Sequence, residues 1–309
     1  MKAFLIALLV LAMPSAFAEN LADLDTRVQS EQVGTRFGDF KRHSALAQLR
    51  WQWDAPYDNA VRGVFQVRDY NDASVSGRVR ELSLERRLGA GFLTVGKKVM
   101  SWDVGYAFRP LDVIQQEDRR ALHPAGLEGV GMVAWEVFDE ERAMTLVLSD
   151  PGSVSMRLYR HTGTRDEYFV LHKSKDHGMQ GGASLSDVLS DAVEVHGSFL
   201  IAEGKRDKAM VGMTWTGENK ISVLAEAWID RTAAPGFERN ALVRVSHNDG
   251  DWDIYADYLH VLKNDGQVAG VGVARKFGAW QFSASYRRYL DAAAPVVKHT
   301  AVATLQHAF

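Results

Sequence analysis

The ten histidines of this chain are scattered along its length, with no spacing that would gather three ligands around a metal. His247-Asn248 and His161-Thr162 each set an imidazole beside a polar orienter, the start of a hydrolase constellation. No serine follows either pair in a nearby nucleophile motif. His177 beside Asp176 is the one hint of an acid–histidine protease grouping. Gly89-Ala90-Gly91 reads as a hairpin turn, so a phosphate-binding loop is missing as well. No catalytic residue, no metal and no cofactor is expected.

The charges are better organised than the histidines. Arg50, Arg62, Arg68, Arg78 and Lys98 fall on the polar faces of alternating segments early in the chain. Glu194, Glu226, Asp230, Asp253 and Asp257 do so later, with Arg244 and Arg287 as exceptions. In a closed wall with those faces inward, the lumen would carry a basic side and an acidic side. Such a transverse field orients dipolar solutes and disfavours apolar ones. The alternative is that these residues pair with one another and only stiffen the wall.

A third constellation is the long segment from Ser101 to Gly126. Loops beyond about 15 residues in a compact domain are usually functional or disordered, and this one is too rich in aromatic residues for disorder. Folded into a barrel mouth it would form a constriction, with Arg109, Asp112, Glu117, Asp118, Arg119 and Arg120 as its polar teeth. Packed over the rim it would be an outer loop and nothing more.

The elements that must position these residues are strands. Ala45, Ala47, Leu49, Trp51 and Trp53 share one face, against Gln48, Arg50, Gln52 and Asp54. The same period of two returns at Val193 to Ile201, Ala209 to Trp215, Ile221 to Ile229, Trp252 to Tyr258 and Trp280 to Tyr286. Turn signals separate the runs, among them Asp150-Pro151-Gly152, Asn248-Asp249-Gly250 and Asn264-Asp265-Gly266. Each strand has one wet and one apolar face, and there are too many strands for a single sandwich core.

The first eighteen residues read as a secretory signal: Lys2, an apolar run from Ala3 to Met13, and a small-x-small site at Ala16-Phe17-Ala18. The domains are then the signal, 1–18, and one barrel, 19–309. The net charge of −3 argues against nucleic acid and other polyanions. The 26 glycines suit many tight turns, and the absence of cysteine is compatible with an exported barrel.

Counting back from Phe309, the positions His307, Leu305, Ala303 and Ala301 share its face. This tail resembles the closing strand of a Gram-negative outer-membrane β-barrel, a family whose terminal aromatic is read by the barrel assembly machinery. The run Gly96-Lys97-Lys98, Trp102-Asp103 and Pro110-Leu111-Asp112 resembles porin-like barrels in which a strand leads into a lumenal loop. It departs from them at Lys98, often a glutamine there, and at Asp103, often a glycine. The resemblance implies an all-β, transmembrane, antiparallel up-and-down barrel in the cell outer membrane.

Parity then sets the strand number. About seventeen strand-like segments follow Ser44, and bacterial barrels have an even number. One more strand is therefore expected before Lys41, within Ser30 to Phe40, giving 18, with 16 as the alternative if the segments between Arg142 and Ser190 are over-split. Trp53, Trp135, Trp215, Trp252, Trp280 and Phe309 then gather at one end as an aromatic girdle in membrane lipid. Only about 12 residues, Glu19 to Ser30, precede the first strand, too few for a folded plug. The expected function is a porin-like channel for passive passage of small polar solutes. A filled-lumen barrel serving as an anchor, or as a partner of an export or surface-assembly system, is the alternative. An outer-membrane hydrolase is the second.

Overall fold

The computed structural model describes residues 21–55, 59–70, 75–116, 127–204 and 206–308. They form eighteen strands in one antiparallel sheet. The first nine are β1 (Leu21–Thr35), β2 (Gly38–Ala55), β3 (Asn59–Tyr70), β4 (Ser76–Leu88), β5 (Gly91–Lys98), β6 (Val130–Phe138), β7 (Arg142–Ser149), β8 (Ser153–Thr162) and β9 (Arg165–Ser174). The rest are β10 (Gly178–Ser190), β11 (Val193–Ala202), β12 (Lys208–Thr216), β13 (Ile221–Asp230), β14 (Arg239–Asn248), β15 (Trp252–Val261), β16 (Gly266–Phe277), β17 (Trp280–Leu290) and β18 (Val297–Ala308).

Each strand pairs with its neighbour in sequence, and β1 pairs with β18, so the sheet closes on itself without an edge. Asp25 opposite Ala308 puts the start of β1 and the end of β18 at the same, lower, end of the barrel. Eighteen strands agree with the parity count, and the four strands β7 to β10 between Arg142 and Ser190 exclude sixteen. The first strand is Leu21–Thr35 rather than a segment within Ser30 to Phe40. Its pairing with β18 over Asp25 to Thr35 requires the earlier start.

Alternation decides which side chains point where. Along β12, Ala209, Val211, Met213 and Trp215 face out, while Lys208, Met210, Gly212 and Thr214 face in. The outward face is apolar around the wall: Val211 is 65% exposed, Ile201 64% and Leu148 56%. A water-soluble protein rarely leaves so continuous an apolar surface uncovered. Among the described residues no helix is long and apolar enough to cross a membrane, so any crossing is by strands. Gly89 takes a φ of 62° in the β4–β5 turn, the backbone that turn needs, as the hairpin reading of Gly89-Ala90-Gly91 expects.

Candidate functional site: the lumen and its infolded loop

The connection from β5 to β6 leaves the upper end and turns into the barrel; its residues 117–126 lie outside the described part. Its apolar side chains set the direction. Trp102 and Leu111, 4% and 0% exposed, pack on the inward residues Met132, Ala134, Val147, Val170 and Leu200. Farther round the wall Phe108 packs on Met210, Trp228 and Leu242, stacking on the Trp228 ring at 5.6 Å. Burying two aromatic rings and a leucine contributes several kcal/mol, at about 25 cal/mol per Å² of apolar surface. The loop therefore lines the β6–β14 side of the lumen.

Carboxylates fix its backbone. Glu226, on the inward face of β13, accepts the amides of Tyr106 at 2.6 Å, Ala107 at 2.8 Å and Phe108 at 3.2 Å. His196 of β11 lies 3.0 Å from the same carboxylate. Asp112 accepts Ser101 Oγ at 3.0 Å and the amides of Trp102 and Asp103 at 2.6 and 3.1 Å. Asp103 accepts the amides of Val104 and Leu111, both at 2.7 Å, and Ser198 Oγ of β11 at 3.1 Å. Burial pushes the Asp103 carboxyl up to about 6, against the lowering effect of the two amides. The Tyr106 phenol donates to Glu194 at 3.1 Å; partial burial and that carboxylate raise its pKa.

The opposite side of the lumen is charged and wet. The Arg50 and Arg62 side chains point inward from β2 and β3, yet remain 51% and 44% exposed. Water therefore reaches them inside the barrel. Arg68 and Arg80 each lie close enough to Arg27 to repel it, and Arg80 also feels Arg50. Acidic groups are interspersed: Asp25 pairs with Arg50, Glu85 lies 3.7 Å from Arg62 and 3.5 Å from Lys98, and Glu128 lies 3.7 Å from Arg78. On the far side Asp257 is held by Arg244 at 2.8 Å and Arg287 at 3.6 Å. The charges thus pair locally along the wall rather than as one basic half against one acidic half.

Of the residues singled out from sequence, Arg50, Arg62, Arg68, Glu226, Asp253 and Asp257 all occupy inward positions. Glu226 is covered by the loop instead of open to solute. Asp112 is enclosed within the loop's own turns, and Arg109 lies over it at 3.5 Å while donating to Gly105 O. Glu117, Asp118, Arg119, Arg120 and Phe309 fall outside the described residues. Trp53, Trp135, Trp215, Trp252 and Trp280 lie on the outward face toward the lower end.

Sequence reasoning met Asp103 only as a departure from the porin-like pattern, and gave no role to His196, Ser198 or Gly212. It also missed Ser155, whose Oγ is 2.7 Å from His172 Nδ1, a nucleophile–base distance. Ser155 is 1% exposed on the wall beneath the loop, so a substrate carbonyl has no approach to it. Among the described residues no group of three His, Asp or Glu is placed to hold a metal.

No family model and no curated protein sequence matches the chain. Solved structures do match. OccK11 (OpdR) of Pseudomonas aeruginosa aligns over 94% of this chain and 96% of its own, with a TM-score of 0.71 at 9% identity. OccK1 (OpdK) of the same organism covers 94% and 99%, with a TM-score of 0.70 at 10% identity. A mutant porin of Rhodopseudomonas blastica covers 94% and 100%, with a TM-score of 0.59 at 9% identity. What the chain shares with these proteins is its fold, the closed antiparallel barrel of the porins.

Proposed function

We propose that the protein is a porin-like channel of the Gram-negative outer membrane, passing small polar solutes passively, with the infolded loop as its constriction. The observation that carries this reading is the contrast between the two sides of the lumen. The loop fills the β6–β14 side, while Arg50 and Arg62 stay hydrated opposite it. Hydrated guanidinium groups beside a narrowed passage favour small anions over cations. Outer-membrane lipid would meet the apolar outer face, and the five outward tryptophans with Phe309 would form its lower girdle. Residues 1–18 would direct export, and Phe309 would be the handle for the barrel assembly machinery. No enzymatic step and no cofactor belong to this reading.

The filled-lumen anchor draws on the packed cluster of Phe108, Met210, Trp228 and Leu242. That filling accounts for one side of the lumen and leaves the arginine side wet. Ion conductance of purified protein in planar bilayers distinguishes the two. Step conductances that grow when residues 109–120 are deleted support the channel; a silent bilayer for both proteins overturns it.

A further inference from the structure

Inward positions of a water-filled barrel are expected to be polar. Near the upper end, β15 and β16 break that rule with Leu259, Val261 and Val268. The docked loop accounts for part of this apolar surface, since Phe108 shares a packed cluster with Leu242 and Leu259 packs against that cluster. Val261 and Val268 belong to neither packed cluster; they are 3% and 9% exposed, at the back of a separate recess near the turn Asp291–Ala293. Together with Phe237 and Tyr289 they line this recess, of about 320 Å³, beside the stacked Phe108–Trp228 pair.

That space equals about ten waters at roughly 30 Å³ each. Mostly apolar clefts of this size with a few placed polar groups are the usual form of small-molecule sites. Here Asp230 and Asn240 lie above the Leu259–Val268 row and Asp257 and Arg287 below it, so both signs of charge are present. Asp257 already lies between Arg244 and Arg287. The recess therefore discriminates by the body of a ligand more than by the sign of its charge.

We propose that this recess is a binding subsite for small amphiphiles, molecules with one ring-sized apolar body and one polar end. A bound ring packs on the half-buried Phe237, Leu259 and Tyr289, with Val261 and Val268 behind them, while its polar end meets Asp257 and Arg287 deeper in the lumen. As a stage in solute passage the subsite rests on the channel reading; its occupancy does not.

Calorimetric titration of the detergent-refolded barrel tests occupancy without reference to conductance. The probes are two pairs matched in charge: benzoate with acetate, and benzylammonium with methylammonium. Saturable binding by either aromatic member, with its aliphatic partner at least tenfold weaker, is expected. Val268→Asn should weaken that binding at least tenfold. Ala293→Trp, which fills the recess from the short turn Asp291–Ala293, should abolish it with the β-sheet circular dichroism retained. Equal binding within both pairs, no binding by either aromatic probe, or aromatic binding that survives Ala293→Trp in a folded barrel overturns the subsite.

Discussion

The Glu226 carboxylate and the His196 imidazole lie 3.0 Å apart although a whole strand separates their backbones. The register runs His196, Gly212, Glu226 across β11, β12 and β13. Neighbouring strands are about 4.8 Å apart, so the two side chains bridge roughly 10 Å of sheet. They meet over Gly212 because it has no side chain: a Cβ there would strike the His196 ring and sit 2.7 Å from Glu226 Cγ. The imidazole holds Oε1, which also accepts the Tyr106 amide, and so aims Oε2 at the amides of Ala107 and Phe108.

Gly212→Ala should therefore release the loop while leaving the barrel intact. Hydrogen bonds to a charged acceptor contribute about 1.5–3 kcal/mol each. Losing the equivalent of one shifts the docked-to-released ratio by roughly 10- to 100-fold. Single-channel recording should show a larger mean conductance with frequent transitions. Glu226→Ala should act in the same direction and Glu226→Gln more weakly, since an amide oxygen still accepts. Recordings of Gly212→Ala that match wild type would remove this latch from the account.

The exposed arginines make a separate prediction about selectivity. Arg50→Ala and Arg62→Ala each delete a hydrated cation from the open side of the lumen. Reversal potentials across a salt gradient should move toward cation preference for both, and farther for the double substitution. The effect should shrink in molar salt, where the Debye length falls to about 3 Å. Because these side chains are surface-like, the effect on stability should be small, within about 1 kcal/mol.

How much of this was legible in the chain depends on whether the cause was periodic or local. Val211, Met213 and Trp215 declare their outward face by alternation alone, because a register slip of one residue would turn all of them inward. The first strand hid because Asp23 to Gln32 alternates faintly, with Thr26 and Ser30 on the outward face; its place is set by pairing with β18. The seat of the loop was illegible for another reason. Glu226 binds backbone amides, which every residue has, so nothing in Tyr106, Ala107 or Phe108 names it as their partner. Asp112 looked like a lumen-facing charge since spacing carries no record of a turn closing on itself.

Asp103 gives a pH prediction whose sign is easily mistaken. Its carboxyl stands at about 6 in the docked loop, against 3.8 when free. The docked state therefore binds the proton more tightly, and docking gains strength as pH falls from above 6 toward 4. The full difference is on the order of 3 kcal/mol. Acidification from pH 7.5 to 5 should quiet the current fluctuations of an open channel instead of releasing the loop. Asp103→Asn, neutral throughout, should be equally quiet at both pH values. Increased flicker at pH 5 in the wild type would contradict the direction of the shift.

The outer face tests the lipid environment independently of the lumen. Val211 sits midway along β12, 65% exposed, between Ala209 and Met213 on the same face. An arginine on the lipid side at mid-membrane depth costs about 2–4 kcal/mol, falling to about 0–1 kcal/mol near the interfaces. Val211→Arg should lower unfolding stability in lipid vesicles by the larger amount, and Val211→Leu should be near neutral. The inward neighbour Met210 is buried against Trp228 and Phe108. Met210→Ala should cost about 2–5 kcal/mol through a cavity instead of through lipid, and a cavity cost persists in any solvent. The two costs are separated by repeating the measurement in short-chain detergent, where the Val211→Arg penalty should fall and the Met210→Ala penalty should hold. A Val211→Arg penalty that does not depend on the lipid would mean that this face is not the membrane face.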